Sequence, residues 1–206
     1  MSSAQSGAVR FLLFGTGSIK YPIVGIGSRN YNLFGSAGVG VGLEVTGSNE
    51  SALSVLPKLS ILRENTGYHQ VSSAKYVLES INLVLNPELL IPTRNERLGL
   101  TAGIGVDWMA DLVVAEYHDQ SSSKTSGQEA VWDTIEAARR PLIPFVSLGI
   151  RYQLHRGLHV QAFLRQDMYN AFPDNTVVTF GKDNEPLTVN LSHQPTRLGL
   201  NLMYVF

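Results

Sequence analysis

The chain has 206 residues, with 16 Lys and Arg against 17 Asp and Glu, and it contains no cysteine. Charged residues make up 16%, below the roughly one quarter typical of soluble domains, whereas 44% are hydrophobic and 19 are glycine. The near-neutral charge argues against a nucleic-acid partner, and the missing cysteine excludes disulfides, thiolate zinc sites and cysteine nucleophiles. No apolar run approaches the ~18–20 residues that a membrane helix needs, and the length suits a single domain over residues 1–206.

The first residues leave two interpretations open. Residues 1–7 lack the basic and apolar regions of a signal peptide, yet Ser2, Ser3 and Ala4 are small residues of the kind found at a cleavage site. We expect residues 1–7 to be either the remnant of a signal or an ordinary disordered N-terminus.

Alternation of apolar and polar residues with a period of two dominates the sequence, and helical periodicity is almost absent. Between Leu98 and Leu112 every second residue is apolar, without exception. The same alternation recurs, less regularly in places, in seven further segments. The predicted strands cover residues 8–19, 33–45, 53–61, 76–91, 98–112, 146–154, 158–164 and 198–206.

Short and long connections alternate between these strands. Hairpin-sized turns fall near Asn49, Asn95 and Arg156. The longer connections cover about 20–32, 63–75, 114–141 and 169–195. Such alternation is typical of an up-and-down barrel with one end in the periplasm and the other outside. The sequence therefore predicts an all-β fold, an eight-stranded antiparallel up-and-down transmembrane β-barrel.

The composition of the polar face indicates where each face of the barrel points. The polar face is mostly glycine, serine and asparagine with isolated charges of both signs, whereas a solvated face is rich in Lys, Glu and Thr. This composition suits the narrow interior of an eight-stranded barrel. The apolar face of the six clearest strands carries no charge and suits contact with lipid. A soluble lipocalin-like barrel has the same period and is the structural alternative.

Seven charged residues fall on the face predicted to line the interior. We expect them to pair into a buried salt-bridge network, because an unpaired charge there costs several kcal/mol. A gated ion path and a paired-carboxylate site are the functional alternatives. The residues are Glu44, Lys58, Asp107, Asp111, Arg151, Arg165 and Asp167.

Several short motifs resemble strands of one family of outer membrane proteins. The segment LSVLPKLS at 53–60 resembles that family's FSLQPELLYS strand. The segment YVLESINL at 76–83 is similar to its YLEIPLLLKY strand, with Asn82 in place of the proline. GIRY at 149–152 and LGLNLMYVF at 198–206 resemble its closing strands. From about residue 33 onward, the chain therefore resembles the porin-family outer membrane β-barrel domain of Bacteroidota.

This resemblance implies a cellular location and an assembly route. It implies an OmpA/OmpX-like barrel, exported to the periplasm and inserted by the barrel-assembly machinery among the lipids of a Gram-negative outer membrane. Tyr204 and Phe206 resemble the C-terminal assembly signal that this machinery reads, although Asn201 stands where the usual glycine lies. The family implies no single biochemical activity.

No residue pattern indicates catalysis, a metal or a cofactor. Glycines such as Gly38, Gly40 and Gly42 lie in a period-two segment and open no helix, so they do not form a phosphate loop. The five histidines show no metal-ligand spacing. We therefore expect a non-enzymatic protein without a metal or cofactor. A lipid A-modifying enzyme that uses Ser192 and His193 is the catalytic alternative.

The long connections are the predicted functional regions. They combine polar tips with apolar residues, a composition suited to contact with another surface. We expect the connections 114–141 and 169–195 to bind a partner protein or another component of the cell envelope. Packing between loops is an equal alternative for these residues, and a small-solute or ion channel is a second function. The candidate surface residues are Trp132, Ile135, Val178 and Phe180.

Overall fold

The computed structural model describes most of the predicted strand segments. It covers residues 8–21, 34–47, 53–71, 74–118, 140–169, 178–179, 186–187 and 196–206. Within these ranges all regular secondary structure is strand. None of these residues belongs to a helix long and apolar enough to span a membrane.

Eight long strands form a closed antiparallel barrel, which confirms the predicted fold class. Neighbouring strands follow the order β1-β10-β7-β6-β5-β4-β3-β2, so each long strand pairs with the next long strand along the chain, and the last long strand pairs with the first. Two short strands, β8 and β9, pair with each other outside the barrel sheet. The strands are β1 Ala8–Tyr21, β2 Phe34–Thr46, β3 Ser54–Val71, β4 Ala74–Pro92, β5 Leu98–His118, β6 Leu142–His155, β7 Leu158–Asp167, β8 Val178–Thr179, β9 Pro186–Leu187 and β10 Thr196–Val205.

Most strands extend further than the alternation of residues predicts, β3 and β5 most of all. β3 ends at Val71, β4 begins at Ala74 and β5 ends at His118. The predicted long connection 63–75 is therefore mostly strand. The prediction stopped where the apolar residues stop, but ladder hydrogen bonds join backbone groups and continue through polar sequence.

Large apolar side chains cover the outward face of the barrel. Val39, Ile104 and Leu148 are 60% or more exposed. On β6 the outward residues from Leu142 to Tyr152 are all apolar, aromatic or proline. These ten steps rise about 25 Å at ~3.3 Å per residue and ~40° tilt, the height of a membrane-facing band. We call this outward surface the apolar belt.

The two ends of the barrel differ. The short turns at 93–97 and 156–157 lie at one end, the turn side. The opposite end, where β5 ends and β6 begins, is the loop side. Outward aromatic side chains, among them Tyr152 and Phe206, mark the belt at the turn side. Arg63 on β3 and Asp111 on β5 are the charged outward residues at its loop-side end.

Three inward aromatic rings lie across glycines of neighbouring strands. A Cβ atom built on each of these glycines would lie only 2.2–2.3 Å from a ring carbon. The rings therefore fill space that any larger residue would occupy, as in the aromatic rescue of strand glycines. The cross-strand pairs are Phe14 with Gly40, Phe145 with Gly105, and Phe163 with Gly199.

We expect Gly105→Ala to destabilise the barrel by about 1–3 kcal/mol, the usual cost of overpacking. Its new methyl group would meet the Phe145 ring and the Leu85 carbonyl oxygen, 2.3 and 2.5 Å away. Gly15→Ala is the matched control, because a Cβ there meets nothing within 4 Å. Urea titration of the purified barrel in lipid vesicles measures both; equal midpoints for the two variants would contradict the packing argument.

Candidate functional site

Among the described residues, the charged side chains inside the barrel form three groups. The first, the turn-side cluster, is built on β1, β2 and β6. Both Arg10 and Arg151 donate to Glu44, over 2.6 Å to its Oε1 atom and 2.9 Å to its Oε2 atom. Glu44 is buried and Arg10 is half-exposed at the barrel end. Both oxygens of this carboxylate are therefore paired with a guanidinium group.

The central cluster is built around Lys58 on β3 and Glu88 on β4. The Lys58 Nζ atom lies 2.6 Å from Glu88 Oε1 and 3.1 Å from Gln161 Oε1. Gln161 in turn donates to Glu88 Oε2 over 2.8 Å and to Thr101 over 2.7 Å. Asn201 donates to Gln161 Oε1 over 2.9 Å. This cluster joins strands from opposite walls across the barrel.

The loop-side cluster contains two arginines and three carboxylates. Arg165 donates to Asp107 over 2.5 Å and to Asp167 over 2.6 Å. Arg197 donates to Asp167 over 3.1 Å and also pairs with Glu64. All five side chains are at least 95% buried. Pairing of this kind offsets the cost of removing charged side chains from water in a closed interior.

A small cavity lies between the central and loop-side clusters. Its volume is about 50 Å³, and its lining includes Lys58, Ser147, Arg165 and the ring of Phe145. That volume holds a few water molecules. The Arg165 guanidinium stacks 3.8 Å from the centre of the Phe145 ring, so the wall of the cavity is itself packed.

The clusters contain six of the seven charged residues that the sequence placed in the interior. Each of the six has an ion-pair partner there. They are Glu44 and Arg151 in the turn-side cluster, Lys58 in the central cluster, and Asp107, Arg165 and Asp167 in the loop-side cluster.

The structure contradicts the expected position of Asp111. Met109 pairs with Asn82, and Asp111 pairs with Ile81, so Ala110 is an extra residue that forms a β-bulge. The extra residue reverses the alternation, and Asp111 is exposed on the outward face. Apolar and polar residues keep alternating in the sequence through the bulge, so the sequence alone does not predict it.

Among the described residues, three buried charges that the prediction missed carry ion pairs, in addition to the half-exposed Arg10. Glu88 shares the phase of Asn82 and Asn86 in the predicted fourth strand, so the alternation of residues already predicts that it points inward. Glu64 and Arg197 continue the inward phases of β3 and β10 just beyond the predicted strand ends. Extending each strand by a few residues in phase would have found both.

The other predicted site residues are only partly described. Tyr204 and Phe206 are exposed on the outward face at the turn side. Val178 begins β8 and pairs with Leu187. Trp132, Ile135 and Phe180, and also Ser192 and His193, lie outside the described residues. Among the residues that the structure does describe, no group of His, Asp or Glu is arranged to hold a metal.

Ail and Neisserial surface protein A are among the solved structures similar to this chain. Ail, the attachment invasion locus protein of Yersinia pestis, is 10% identical, with a TM-score of 0.45 over 98% of this chain and 99% of Ail. Neisserial surface protein A is 12% identical, with a TM-score of 0.39 and the same coverage of each chain. A second Ail structure, in complex with the heparin analogue sucrose octasulfate, is 10% identical with a TM-score of 0.39 over 98% and 99% of the chains. Similarities of this size assign no function to the chain.

No family model matches the sequence. No curated protein matches it either.

We expect Arg197→Met to cost about 3–5 kcal/mol of stability, because it leaves three buried carboxylates with a single guanidinium. Arg10→Met is the matched control, since the Arg10 side chain is 49% exposed and its ion pair is worth under about 1 kcal/mol. Urea titration followed by gel mobility of the folded barrel measures both. Equal losses of stability would mean that burial does not decide the strength of these pairs.

Proposed function

We propose that this chain is an integral outer membrane barrel of a Gram-negative bacterium that binds another protein outside the cell and carries out no catalysis. The observation that carries the membrane assignment is the polarity of the wall. Paired charges lie inside, whereas side chains such as Ile104 and Leu148 lie outside, 67% and 60% exposed. A soluble barrel has the opposite polarity, because water rather than lipid covers its outer face.

The interior supports a binding role rather than conduction. The three charged clusters cross the barrel at successive levels, and the cavity between two of them holds only a few waters. Eight-stranded barrels are narrow enough for side chains to fill. We therefore propose that the barrel has no stable aqueous pore and acts as a rigid anchor for its loop-side end.

Part of the wall projects beyond the apolar belt at the loop side. β3, β4 and β5 continue past Arg63 and Asp111, and the register runs up to the pairs of Ala74 with Val71 and with His118. Among the described residues, the last β2–β3 pair contains Glu64 and the last β5–β6 pair contains Trp108. Within that part of the chain, the projection is a sheet of three strands.

The outer edge of β5 is the binding surface that we propose. In the part of the chain that the structure describes, residues 112–118 pair with β4 and with no second strand. The N–H of Met109 faces β6, where it donates to Pro141, and the bulge at Ala110 then reverses the alternation. The N–H groups of Leu112, Val114 and Glu116 therefore point away from β4. An open edge of this kind accepts an added strand.

A segment of another protein fits this edge better than a second copy of the chain. Two copies of the chain in one membrane would have the same orientation, so their β5 strands would run parallel to each other. A two-fold axis along the membrane normal would place identical residues of the two strands at the same level. Two identical edges in that arrangement cannot form the hydrogen bonds of a parallel ladder in register. An extended peptide arriving from outside can run antiparallel and pair with residues 112–118. We therefore propose a partner protein that adds one strand to β5.

The motifs at 53–60, 76–83 and 198–206 support a narrower assignment. We include in the proposal that the barrel belongs to the Bacteroidota-type, OmpA-like group of outer membrane barrels and is inserted by the barrel-assembly machinery. Tyr204 and Phe206 would then be the residues that this machinery reads. Purifying the machinery with arrested barrel intermediates tests this assignment.

Cysteine labelling tests the location and direction of the barrel. With an impermeant maleimide on intact cells, we expect Ser123→Cys to react and Asn95→Cys to stay unlabelled, because the turn at 93–97 faces the periplasm in our proposal. Disrupted cells are the control and expose both. Labelling of Asn95→Cys alone would invert the barrel, and soluble protein recovered without membrane would favour a lipocalin-like protein.

A pair of proline variants tests the β5 edge. Val114→Pro removes an N–H that faces away from β4, so we expect a stable barrel that has lost its partner. Val113→Pro, one residue away, removes an N–H that faces β4, and we expect it to weaken the barrel itself. The readout is a photo-crosslinker at Glu116 on living cells, with the adduct mapped by mass spectrometry.

The expected adduct maps to an extended segment of another protein and disappears in Val114→Pro. Amide exchange of the purified barrel is the control, with fast exchange at Leu112, Val114 and Glu116 and slow exchange at Val113 and Ala115. An adduct that survives Val114→Pro, or uniform protection of all these amides, would show that β5 is not the docking edge.

A further inference from the structure

The barrel closes where β1 meets β10. These two strands lie at opposite ends of the sequence, and they pair from Leu12 with Val205 to Tyr21 with Thr196. Joining strands so far apart in the chain costs the largest loop entropy of any strand pair in the barrel. Contacts at this seam between β1 and β10 therefore contribute strongly to the closure of the barrel.

Phe206 contacts β1 just beyond the last paired residues. Its N–H donates to the carbonyl oxygen of Phe11 over 3.0 Å. The Phe206 ring lies 6.1 Å from the Phe11 ring and 4.9 Å from the Tyr204 ring, centre to centre. The Tyr204 ring meets it edge-on, at 66°. The three rings thus form one aromatic group on the outward face that spans the seam.

The last strand is also held from its other side. The N–H of Val205 donates over 2.7 Å to the carbonyl oxygen of Gly157, in the turn between β6 and β7. Gly157 has a φ of +76°, and a Cβ there would lie 2.8 Å from the Val205 oxygen. Inside the wall, Val205 packs with Leu12 and Leu56. The chain end is therefore tied to both neighbouring parts of the barrel.

We propose that Phe11, Tyr204 and Phe206 form an aromatic clasp that holds the first and last strands together. Aromatic pairs in edge-on or tilted contact attract each other beyond their buried area, and these rings join strands that no short turn connects. The clasp gives Phe206 a role within its own barrel, separate from any role as an assembly signal. It also gives Phe11, which is no part of the C-terminus, an equal share in that role.

A double-mutant cycle tests the clasp without any assembly machinery. The purified chain is unfolded in urea and refolded into phosphatidylcholine vesicles, as wild type, Phe11→Ala, Phe206→Ala and the double variant. We expect each single change to lower the folding equilibrium constant, because each removes the shared ring contact and also apolar area of its own. The double change should lower it by about 2- to 10-fold less than the product of the two single effects, the range of coupling for one aromatic pair.

Tyr152→Ala is the matched control. Tyr152 is an outward aromatic residue at the turn side of β6, 37% exposed and away from the seam. In Phe206→Ala, amides of the β1–β10 ladder should exchange faster relative to those of the β3–β4 ladder. In Tyr152→Ala the ratio of the amide exchange rates in these two ladders should not change.

Three results would overturn the clasp. One is additive effects of the two phenylalanine changes, and another is the same exchange pattern in Tyr152→Ala and Phe206→Ala. The third is a Phe206→Ala variant that assembles poorly in cells yet folds like wild type in vesicles, which would leave recognition by the machinery as its sole role. The double-mutant cycle needs only a solvent in which the wild type folds. A result against the outer membrane assignment therefore does not decide the result for the clasp.

Discussion

The pairing of charges in a narrow interior is the constraint on which the rest of this barrel depends. Asp107 and Glu64 each need a guanidinium within reach, and the guanidiniums come from β7 and β10, far along the chain. Arg197 and Glu64 are 133 residues apart, and Arg151 and Glu44 are 107 apart. Because a shift of one strand by one residue would turn its charges outward, these pairs hold the strands in register across the barrel as well as along it.

Glycine solves the second problem of the interior, which is space. The Phe163 ring lies over Gly199 on β10, and the wall at Gly105 accepts the ring of Phe145 in the same way. Each ring fills the gap that its glycine leaves, so apolar rings share the interior with the charged clusters. Gly40, Gly105 and Gly199 are thus the counterparts of the inward aromatic residues.

Much of the fold could be predicted from the sequence, because side chains alternate along a strand and the barrel sorts them by polarity. That rule placed Lys58 and Arg165 inside and Ile104 outside, and all three lie there. It failed at Asp111, where a backbone bulge changes the phase while the letters still alternate. It also stopped short at Arg197, since alternation alone does not tell where hydrogen bonding ends. Which charges pair across the barrel depends on the tilt and stagger of the strands. Neither can be deduced from the spacing of residues in the sequence.

The same constraints indicate where this protein is free to carry a function. Inside, a change at Asp107 disturbs two arginines, and on the apolar belt a change at Leu148 alters contact with lipid. Beyond Glu64 and Asp111, the backbone of β3, β4 and β5 remains paired in two ladders. The projection is thus held by its own ladders on a rigid base. A surface under those conditions can change its residues without loss of the barrel, and this makes the β5 edge, rather than the wall, the place where binding to a partner is expected.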